Sequence, residues 1–158
     1  MIRNYQPDDL PRLKQIANKA WRGIYAMFHE RYGDELFSLI TPDPERGKDA
    51  QLEQHCAAHP DWVYVCEKEG GIIGFVTFLL DSTLKIGEIG NNAVDPDCGV
   101  KGVGQQMYQA VFERFKQEGM RFARVQTGLD DAHAPARRAY ERAGFNIHHE
   151  NVNYYKKL

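Results

Sequence analysis

The sequence has little net charge and no long apolar run. Its 158 residues hold 20 Lys and Arg against 22 Asp and Glu, a formal net charge of −2. A surface this evenly balanced has no general attraction for nucleic acid or for an anionic membrane, so neither is expected as a partner. The longest nearly apolar stretch, residues 72–80, falls well short of the roughly 20 residues that cross a bilayer.

Cysteine is also scarce, and its spacing is not that of a disulfide framework. The three cysteines, Cys56, Cys66 and Cys98, are an odd number without a C-x-x-C pair, which is typical of free thiols in a reducing compartment. The first residues lack the basic and apolar segments of a signal peptide. No linker or repeat divides the chain, and about 100–200 residues is the usual size of one domain. We therefore expect a cytoplasmic protein with one domain over residues 1–158, and a homodimer is compatible with the sequence.

Hydrophobic periodicity switches between helical and strand spacing along the chain. Helical spacing predicts helices over residues 10–20, 21–39 with a break at Gly33, 48–58, 102–118 and 135–143. Apolar runs bounded by turn residues predict strands over residues 2–5, 62–66, 72–80, 84–94, 121–127, 145–147 and 152–155. Helices and strands in this order favour a mixed α/β layer fold.

A glycine-containing segment, VDPDCGVKGVG over residues 94–104, joins the end of one predicted strand to the start of a predicted helix. Glycines let backbone approach a ligand closely, and the free N–H groups of a first helical turn attract phosphate oxygens. The segment therefore indicates a pyrophosphate site, although an ordinary strand-to-helix turn explains the same glycines. It is not a P-loop, because Gly-Lys-Ser/Thr is missing, and it lacks the third glycine of a dinucleotide fingerprint.

The same segment resembles the acetyl-CoA motif of the GNAT family of N-acetyltransferases, which reads Gln/Arg-x-x-Gly-x-Gly/Ala after a strand ending in Val-x-Pro. The matching positions here are Gly99, Gly102 and Gly104, preceded by Val94 and Pro96. Gly99 stands where the family favours Gln or Arg. The departure removes a side-chain contact but leaves the backbone N–H groups that would hold pyrophosphate.

A second family element follows downstream. Residues 136–145, ARRAYERAGF, resemble the family's Ala-x-x-x-Tyr-x-x-x-Gly-Phe, and His133 stands where the family commonly has Asn. From spacing alone, Tyr140 lies with three alanines on a helix face that packs on a sheet. The resemblance instead implies that its hydroxyl is the general acid that protonates the departing thiolate.

The resemblance implies a fold, a co-substrate and a reaction. The fold is an α/β, α+β-like one: a mostly antiparallel, mixed twisted sheet with helices on both faces, splayed by acetyl-CoA. The reaction is direct transfer of the acetyl group of acetyl-CoA to a primary amine of an unidentified acceptor. A non-catalytic acyl-CoA sensor and an acyltransferase for longer acyl chains are the alternatives. The expected contacts to acetyl-CoA are Asn92, Ala93, Val94, Gly99, Val100, Lys101, Gly102, Val103, Gly104, Gln105, His133 and Ala136.

Glu88 is the candidate general base. Alternation along residues 84–94 places it on the same strand face as Leu84 and Ile86, where desolvation would raise the pKa of its carboxyl toward neutrality. Its position also resembles that of the base in histone-type family members, six residues before the Val of Val-x-Pro. A bulge at Gly87 or Gly90 would instead make Glu88 an ordinary surface carboxylate.

Aromatic residues recur about every fourth position after residue 20, at Trp21, Tyr25, Phe28 and Tyr32. This spacing on its own is typical of core packing. The resemblance implies instead that these helices and the final strands wall the acceptor site, which adds Tyr154 to the candidate contacts. The histidines lack metal-ligand spacing, so no metal is expected.

Overall fold

Five strands form one mixed sheet in the computed structural model, which describes residues 1–158. The strands are β1 (Ile2–Asn4), β2 (Val63–Lys68), β3 (Gly71–Asp81), β4 (Ile86–Val94) and β5 (Phe122–Val125). They lie side by side in chain order, antiparallel from β1 to β4, while β5 runs parallel to β4. A parallel pair requires a crossover connection, which the third helix provides.

Four helices cover the sheet: α1 (Leu10–Ile40), α2 (Asp49–Ala58), α3 (Val103–Gln117) and α4 (Ala134–Arg142). α1 is one element, kinked at Gly33 where φ is 76°. The predicted division into two helices at residue 20 was wrong, because no helix-breaking residue stands where Ala20 meets Trp21. No helix is both long and apolar enough to pass through a bilayer.

The sheet has a helix layer on each face, as the family resemblance implies. The layer of α1 and α2 is centred on Leu13, Ile16, Leu52, Val65 and Phe75. The layer of α3 and α4 is centred on Val76, Phe78, Ile89, Met107, Val111 and Phe115. Adjacent strand residues such as Phe75 and Val76 enter opposite layers, because side chains alternate across a strand.

Residues 145–158 form no strand, so the prediction of two final strands was wrong. Ile147, Val152 and Tyr154 are 80%, 69% and 89% exposed there. Each apolar run is short, and the polar stretch HHEN separates the two. Neither run therefore buries enough surface to hold a strand in place, and β5 remains an edge of the sheet.

Asp95, directly after β4, fastens the following loop to α1. Its carboxylate accepts hydrogen bonds from Arg12 Nη2 at 2.6 Å, from Lys19 Nζ at 3.1 Å and from the Asp97 N–H at 3.0 Å. The Asp97 N–H, followed by Arg12 and Lys19, outweighs burial and holds the pKa of Asp95 down to about 2. An ionised side chain therefore joins the loop after β4 to the first half of α1.

Asp95→Asn is expected to lower the free energy of unfolding by about 1–3 kcal/mol at pH 7, because Asn lacks the charge that both cations contact. Folding lowers the pKa of Asp95, so its contribution to the free energy of unfolding is present above about pH 4. That contribution is lost as the pH falls toward 2. Urea unfolding at pH 7 and at about pH 2.5 measures both effects. The control is Asp97→Asn, at an exposed carboxylate of the same loop. Equal losses in the two variants at pH 7 would contradict this role of Asp95.

Candidate active site

A cleft of about 1620 Å³ runs along the edge of β4 and between the helices. Pockets for one small ligand usually measure about 300–1,000 Å³, so this cleft has room for two substrates. Most of the predicted site residues line it: Trp21, Tyr25, Phe28, Glu88, Asn92, Ala93, Val94, Val100, Gly102, Val103, Gly104, Gln105, His133, Ala136 and Tyr140. The structure thus brings together residues of α1, β4, α3 and α4 and of the segments that precede α3 and α4.

Two predicted contacts to acetyl-CoA do not line the cleft, and a third, Gln105, lines it with its side chain bonded within the protein. Gly99 and Lys101 are exposed on the loop before α3 and do not line the cleft. The Gln105 side chain donates from Nε2 to the Ala139 carbonyl at 2.8 Å, so it ties α3 to α4. For Gln105, only the backbone N–H is left for a ligand.

The edge of β4 is open where it faces the cleft. β5 pairs with β4 only as far as Ile89, which lies opposite Val125, whereas β4 continues to Val94. Gly90 and Asn91 of β4 together lie opposite a single residue of β3. This extra residue forms the bulge that the glycine pattern indicates. A stretch of strand at the centre of the molecule therefore has a neighbour on one side only.

The backbone groups on this open edge belong to Asn92 and Val94. The Asp95 N–H donates to the Ile73 carbonyl of β3 at 2.8 Å. Because alternate residues of a strand face the same neighbour, Ala93 also faces β3, while Asn92 and Val94 face the cleft. Of the three residues predicted here, Ala93 turns its backbone groups to β3, packs in the core with α1 and α2 and also lines the cleft.

The turn between β4 and α3 leaves a set of N–H groups free. Gly99 and Gly102 have φ of 64° and 80°, a left-handed backbone that glycine adopts without strain. The first bond of α3 joins the Gln106 N–H to the Gly102 carbonyl at 3.1 Å, so the N–H groups of residues 103–105 have no acceptor in the protein. Together with the positive end of the helix dipole, these donors suit a pyrophosphate.

Two buried phenols meet at the Asn92 side chain. Asn92 Nδ2 donates to the Tyr140 hydroxyl at 3.1 Å, and the Tyr108 hydroxyl donates to Asn92 Oδ1 at 2.8 Å. Burial raises the pKa of both tyrosines above their ordinary value, so both hydroxyls keep their protons at neutral pH. Tyr140 is 8% exposed, packs in the core and also lines the cleft. Tyr140 can therefore pack in the core and still present its hydroxyl to a ligand in the cleft.

Glu88 faces the side of the sheet that carries α1 and α2, since its neighbours Gly87 and Ile89 face α3. Ile86 lies on the same face of β4, as the alternation predicts, but the predicted third member, Leu84, does not. Arg124, the register partner of Glu88 on β5, donates from Nε to Glu88 Oε2 at 3.1 Å. Leu84 lies before β4 begins and is 60% exposed. Glu88 lines the cleft, and its Oε1 has no hydrogen-bond donor in the protein.

His133 lies in the turn before α4 with its ring against Asp130. Its Nδ1 is 2.8 Å from Asp130 Oδ2, and its N–H donates to Asp130 Oδ1 at 3.0 Å. Burial acts to raise the pKa of Asp130, but these hydrogen bonds from His133 lower it overall. The ring lines the cleft, 6.2 Å from the ring of Phe28. Asp130 therefore orients His133, whose second ring nitrogen remains available to a ligand.

The aromatic residues of α1 form one wall of the cleft. The lining includes Trp21, Tyr25, Phe28 and Tyr32. The Phe28 and Tyr32 rings stack with centroids 5.3 Å apart. The prediction of Tyr154 as a contact was wrong, because no strand forms there and the side chain is 89% exposed. Tyr155 lines the cleft in its place, 5.2 Å from Tyr32.

Lys48, the residue before α2, buries its ammonium in the same cleft and is 9% exposed. Its Nζ donates to Asn91 Oδ1 at 3.0 Å and to Gln51 Oε1 at 3.2 Å. The Nζ also lies 4.3 Å from the centroid of the Trp21 ring, a cation–π distance. Burial lowers the pKa of Lys48 to about 8. The side of the cleft next to α2 thus carries a buried cation.

Several residues of the site were not predicted, and Tyr108, Arg124 and Lys48 are three of them. Tyr108 follows the motif residue Gly104 by one helical turn, so its position on the same face was a usable signal. Arg124 meets Glu88 only through the register of β4 and β5, which no local pattern shows. Lys48 stands in the polar segment RGKD, which looks like an ordinary solvent-exposed helix start and gives no sign that the lysine is buried.

Comparisons with known proteins agree with this arrangement. A family model described as the acetyltransferase (GNAT) family matches residues 18–145. An uncharacterised N-acetyltransferase of Methanocaldococcus jannaschii is 25% identical over 151 residues, which is 91% of this chain and 59% of the relative. The S-(2-succino)cysteine N-acetyltransferase of Bacillus subtilis is 32% identical over 87 residues, 52% of this chain and 53% of the relative. The chain therefore matches less than two thirds of the length of either relative.

Solved structures share the fold. The PaiA N-acetyltransferase of Thermoplasma acidophilum, solved with coenzyme A, has a TM-score of 0.72 to this chain at 16% identity. The match covers 96% of this chain and 92% of the other. The mixed sheet with helices on both faces is thus the fold of these acetyltransferases. With the family model matched over most of its length, the chain belongs to the acetyltransferase (GNAT) family.

Proposed function

We propose that the protein transfers the acetyl group of acetyl-CoA directly to a primary amine. The observation that carries the proposal is the open edge of β4. It brings the N–H groups of Asn92 and Val94, the Tyr140 hydroxyl and the first turn of α3 into one cleft. The family membership and the names of both curated relatives support the same class of reaction.

The free donors along the cleft assign a place to each part of acetyl-CoA. The N–H groups of residues 103–105 would bind the pyrophosphate. The pantetheine arm would then follow the open edge of β4 past Ala136, whose small side chain leaves room for it. The N–H groups of Asn92 and Val94 would polarise the acetyl carbonyl and stabilise the negative charge that develops on its oxygen.

The reaction joins the amine nitrogen to the thioester carbon and breaks the carbon–sulfur bond. Tyr140 gives its proton to the departing sulfur, and burial keeps that proton in place until the bond breaks. Glu88 takes the first proton, which frees the amine from its ammonium form, through a water at its free Oε1. The nitrogen loses its second proton as the amide forms, and a proton from solvent replaces the one that Tyr140 has given to the sulfur. Direct attack needs no enzyme nucleophile, so Cys98, on the loop before α3, has no part in the chemistry.

Calorimetric titration with acetyl-CoA, ATP and NADH tests the proposal. We expect only acetyl-CoA to bind, and free thiol to appear when a primary amine is added. Binding without turnover of any amine would identify an acyl-CoA sensor instead. A preference for propionyl-CoA or succinyl-CoA would identify an acyltransferase for longer chains. Absence of acetyl-CoA binding would overturn the proposal.

Gly102→Ala is expected to raise the Kd for acetyl-CoA about tenfold. A side chain at φ 80° costs roughly 1–2 kcal/mol, and relaxation of that strain displaces the first N–H groups of α3. Gly119→Ala is the matched control, because Gly119 has φ 76°, has equally open space around it and lies after the other end of α3. Both variants should lose similar stability in urea unfolding. Equal Kd values for the two variants in calorimetry would show that the glycine loop does not bind acetyl-CoA.

A further inference from the structure

The Lys48 ammonium is a buried positive charge without a negative partner in the protein. Its two hydrogen bonds go to the neutral side-chain oxygens of Asn91 and Gln51. An ammonium has three N–H donors, so one donor of Lys48 has no protein acceptor. The aromatic face of Trp21 lies beside the charge and cannot accept that proton as a carboxylate would.

No carboxylate of the protein accepts a hydrogen bond from the Lys48 ammonium. Asp49, next in the chain, accepts from Asn18 Nδ2 at 2.7 Å and from Arg46 Nε at 3.1 Å. On β4, Glu88 is paired with Arg124 of β5. Burial of an unpaired charge costs free energy, and buried charges in proteins are normally paired. Lys48 can therefore take a negatively charged partner that enters the cleft from outside the chain.

The position of Lys48 relative to the reacting edge specifies what that partner is. Asn91, which binds Lys48, and Asn92, which binds Tyr140, are consecutive residues on opposite faces of β4. Consecutive Cα atoms are about 3.8 Å apart, so the ammonium and the proton donor flank the same short piece of strand. An acceptor whose nitrogen reaches the open edge has its next few atoms beside Lys48.

We propose that Lys48 binds a carboxylate of the acceptor, and that the acceptor is an amino-acid-like amine with this carboxylate a few bonds from its nitrogen. The carboxylate accepts the unused N–H of Lys48 and compensates its charge. The aromatic wall of Trp21, Tyr25 and Phe28 then faces the acceptor's side chain. Polyamines and aminoglycosides, which are cations throughout, would be repelled at this position. The inference rests on the acetyltransferase activity proposed above.

Matched pairs of acceptors test the inference. The panel consists of L-methionine, L-phenylalanine, L-glutamate and S-(2-succino)cysteine, each compared with its α-carboxamide, with spermidine and an N-terminal tetrapeptide added. We expect kcat/KM to be about 10- to 100-fold higher for the free acids than for the amides, as loss of a buried charge partner predicts. The difference should appear mainly in KM.

Lys48→Met gives the second measurement. The variant should raise KM for the free acids about 10- to 100-fold, and it should raise KM for the amides much less. Lys116→Met, at an exposed lysine of α3, is the control and should change none of these. Lys48→Arg keeps the charge and should retain part of the preference for acids.

The outcomes separate the inference from the proposed function. Equal kcat/KM for acids and amides, a preference for spermidine or the tetrapeptide, or an unchanged KM in Lys48→Met would overturn the role of Lys48 and leave acetyl transfer standing. Turnover of none of the carboxylated amines by a protein that binds acetyl-CoA would overturn it too. A protein that binds no acetyl-CoA would refute the proposed function itself.

Discussion

Tyr140→Phe is expected to lower kcat by about 100-fold or more while leaving the Kd for acetyl-CoA within about twofold. General acid catalysis typically contributes 10²–10⁴-fold, and Phe removes only the proton that the departing sulfur needs. The fold should tolerate the change, because Asn92 Nδ2 also donates to the Gly90 carbonyl at 3.0 Å and is not left without an acceptor. Steady-state rates with a thiol reagent and calorimetric Kd values measure the two effects separately.

Tyr108→Phe is the control for this prediction. Tyr108 is buried like Tyr140 and is bonded to the same Asn92 side chain, but its hydroxyl donates to Asn92 Oδ1. Its loss leaves Asn92 Oδ1 without that donor, so we expect a loss of about 1–2 kcal/mol in unfolding free energy and less than a tenfold change in kcat. Equal losses of kcat in the two variants would show that the proton does not come from Tyr140.

Lys48→Met is expected to stabilise the substrate-free protein by about 1–3 kcal/mol at pH 7, although it impairs acceptor binding. One pKa unit corresponds to about 1.4 kcal/mol, and burial lowers the pKa of Lys48 from 10.5 to about 8. The charged form is therefore disfavoured in the folded protein, and a neutral side chain of similar length relieves that cost. Urea unfolding of both proteins measures the difference.

The stabilisation should depend on pH in a defined direction. Below about pH 8, Lys48 is charged in the folded and unfolded states alike, so the full cost is present. Between about 8 and 10.5, the folded protein releases this proton before the unfolded chain does, and the native chain gains stability relative to the variant as the pH rises. The advantage of Lys48→Met therefore shrinks over this range. A variant that is less stable than the native chain at pH 7 would show that Lys48 serves the fold through Asn91 and Gln51.

Local patterns predicted those parts of the site that are themselves local. The glycines before α3 and the spacing around Tyr140 lie within single strand-to-helix or helical segments, so the sequence alone indicates them. The open edge of β4 was predictable only through the family resemblance, because it depends on where β5 stops. The Arg124 partner of Glu88 and the amide partners of Lys48 depend on register and on helix packing, which residue spacing does not encode.

The failures have a common physical cause. Residues 145–147 and 152–155 have strand-like composition, but composition stabilises a strand only when a partner and a buried face are available. The alternation that placed Glu88 with Leu84 assumed that β4 begins earlier than it does. Lys85 has φ 58°, and a turn bonded to the Asp81 carboxylate occupies residues 83–84. In each case, the residues around the apolar run, and not its own composition, decided where a strand forms.

The shortness of β5 has a consequence for the order of events. The sheet separates the α1 and α2 side, where Lys48 and Glu88 face, from the α3 and α4 side, where Tyr140 lies, and it is interrupted only where β5 has ended. Acceptor and acetyl donor would enter from opposite faces of the sheet and meet at the open edge of β4. Under the proposed acetyl transfer, neither substrate would have to leave before the other arrives, and both would be bound when the acetyl group moves. A few unmade hydrogen bonds at the end of one strand thus let one cleft reach both faces of the sheet.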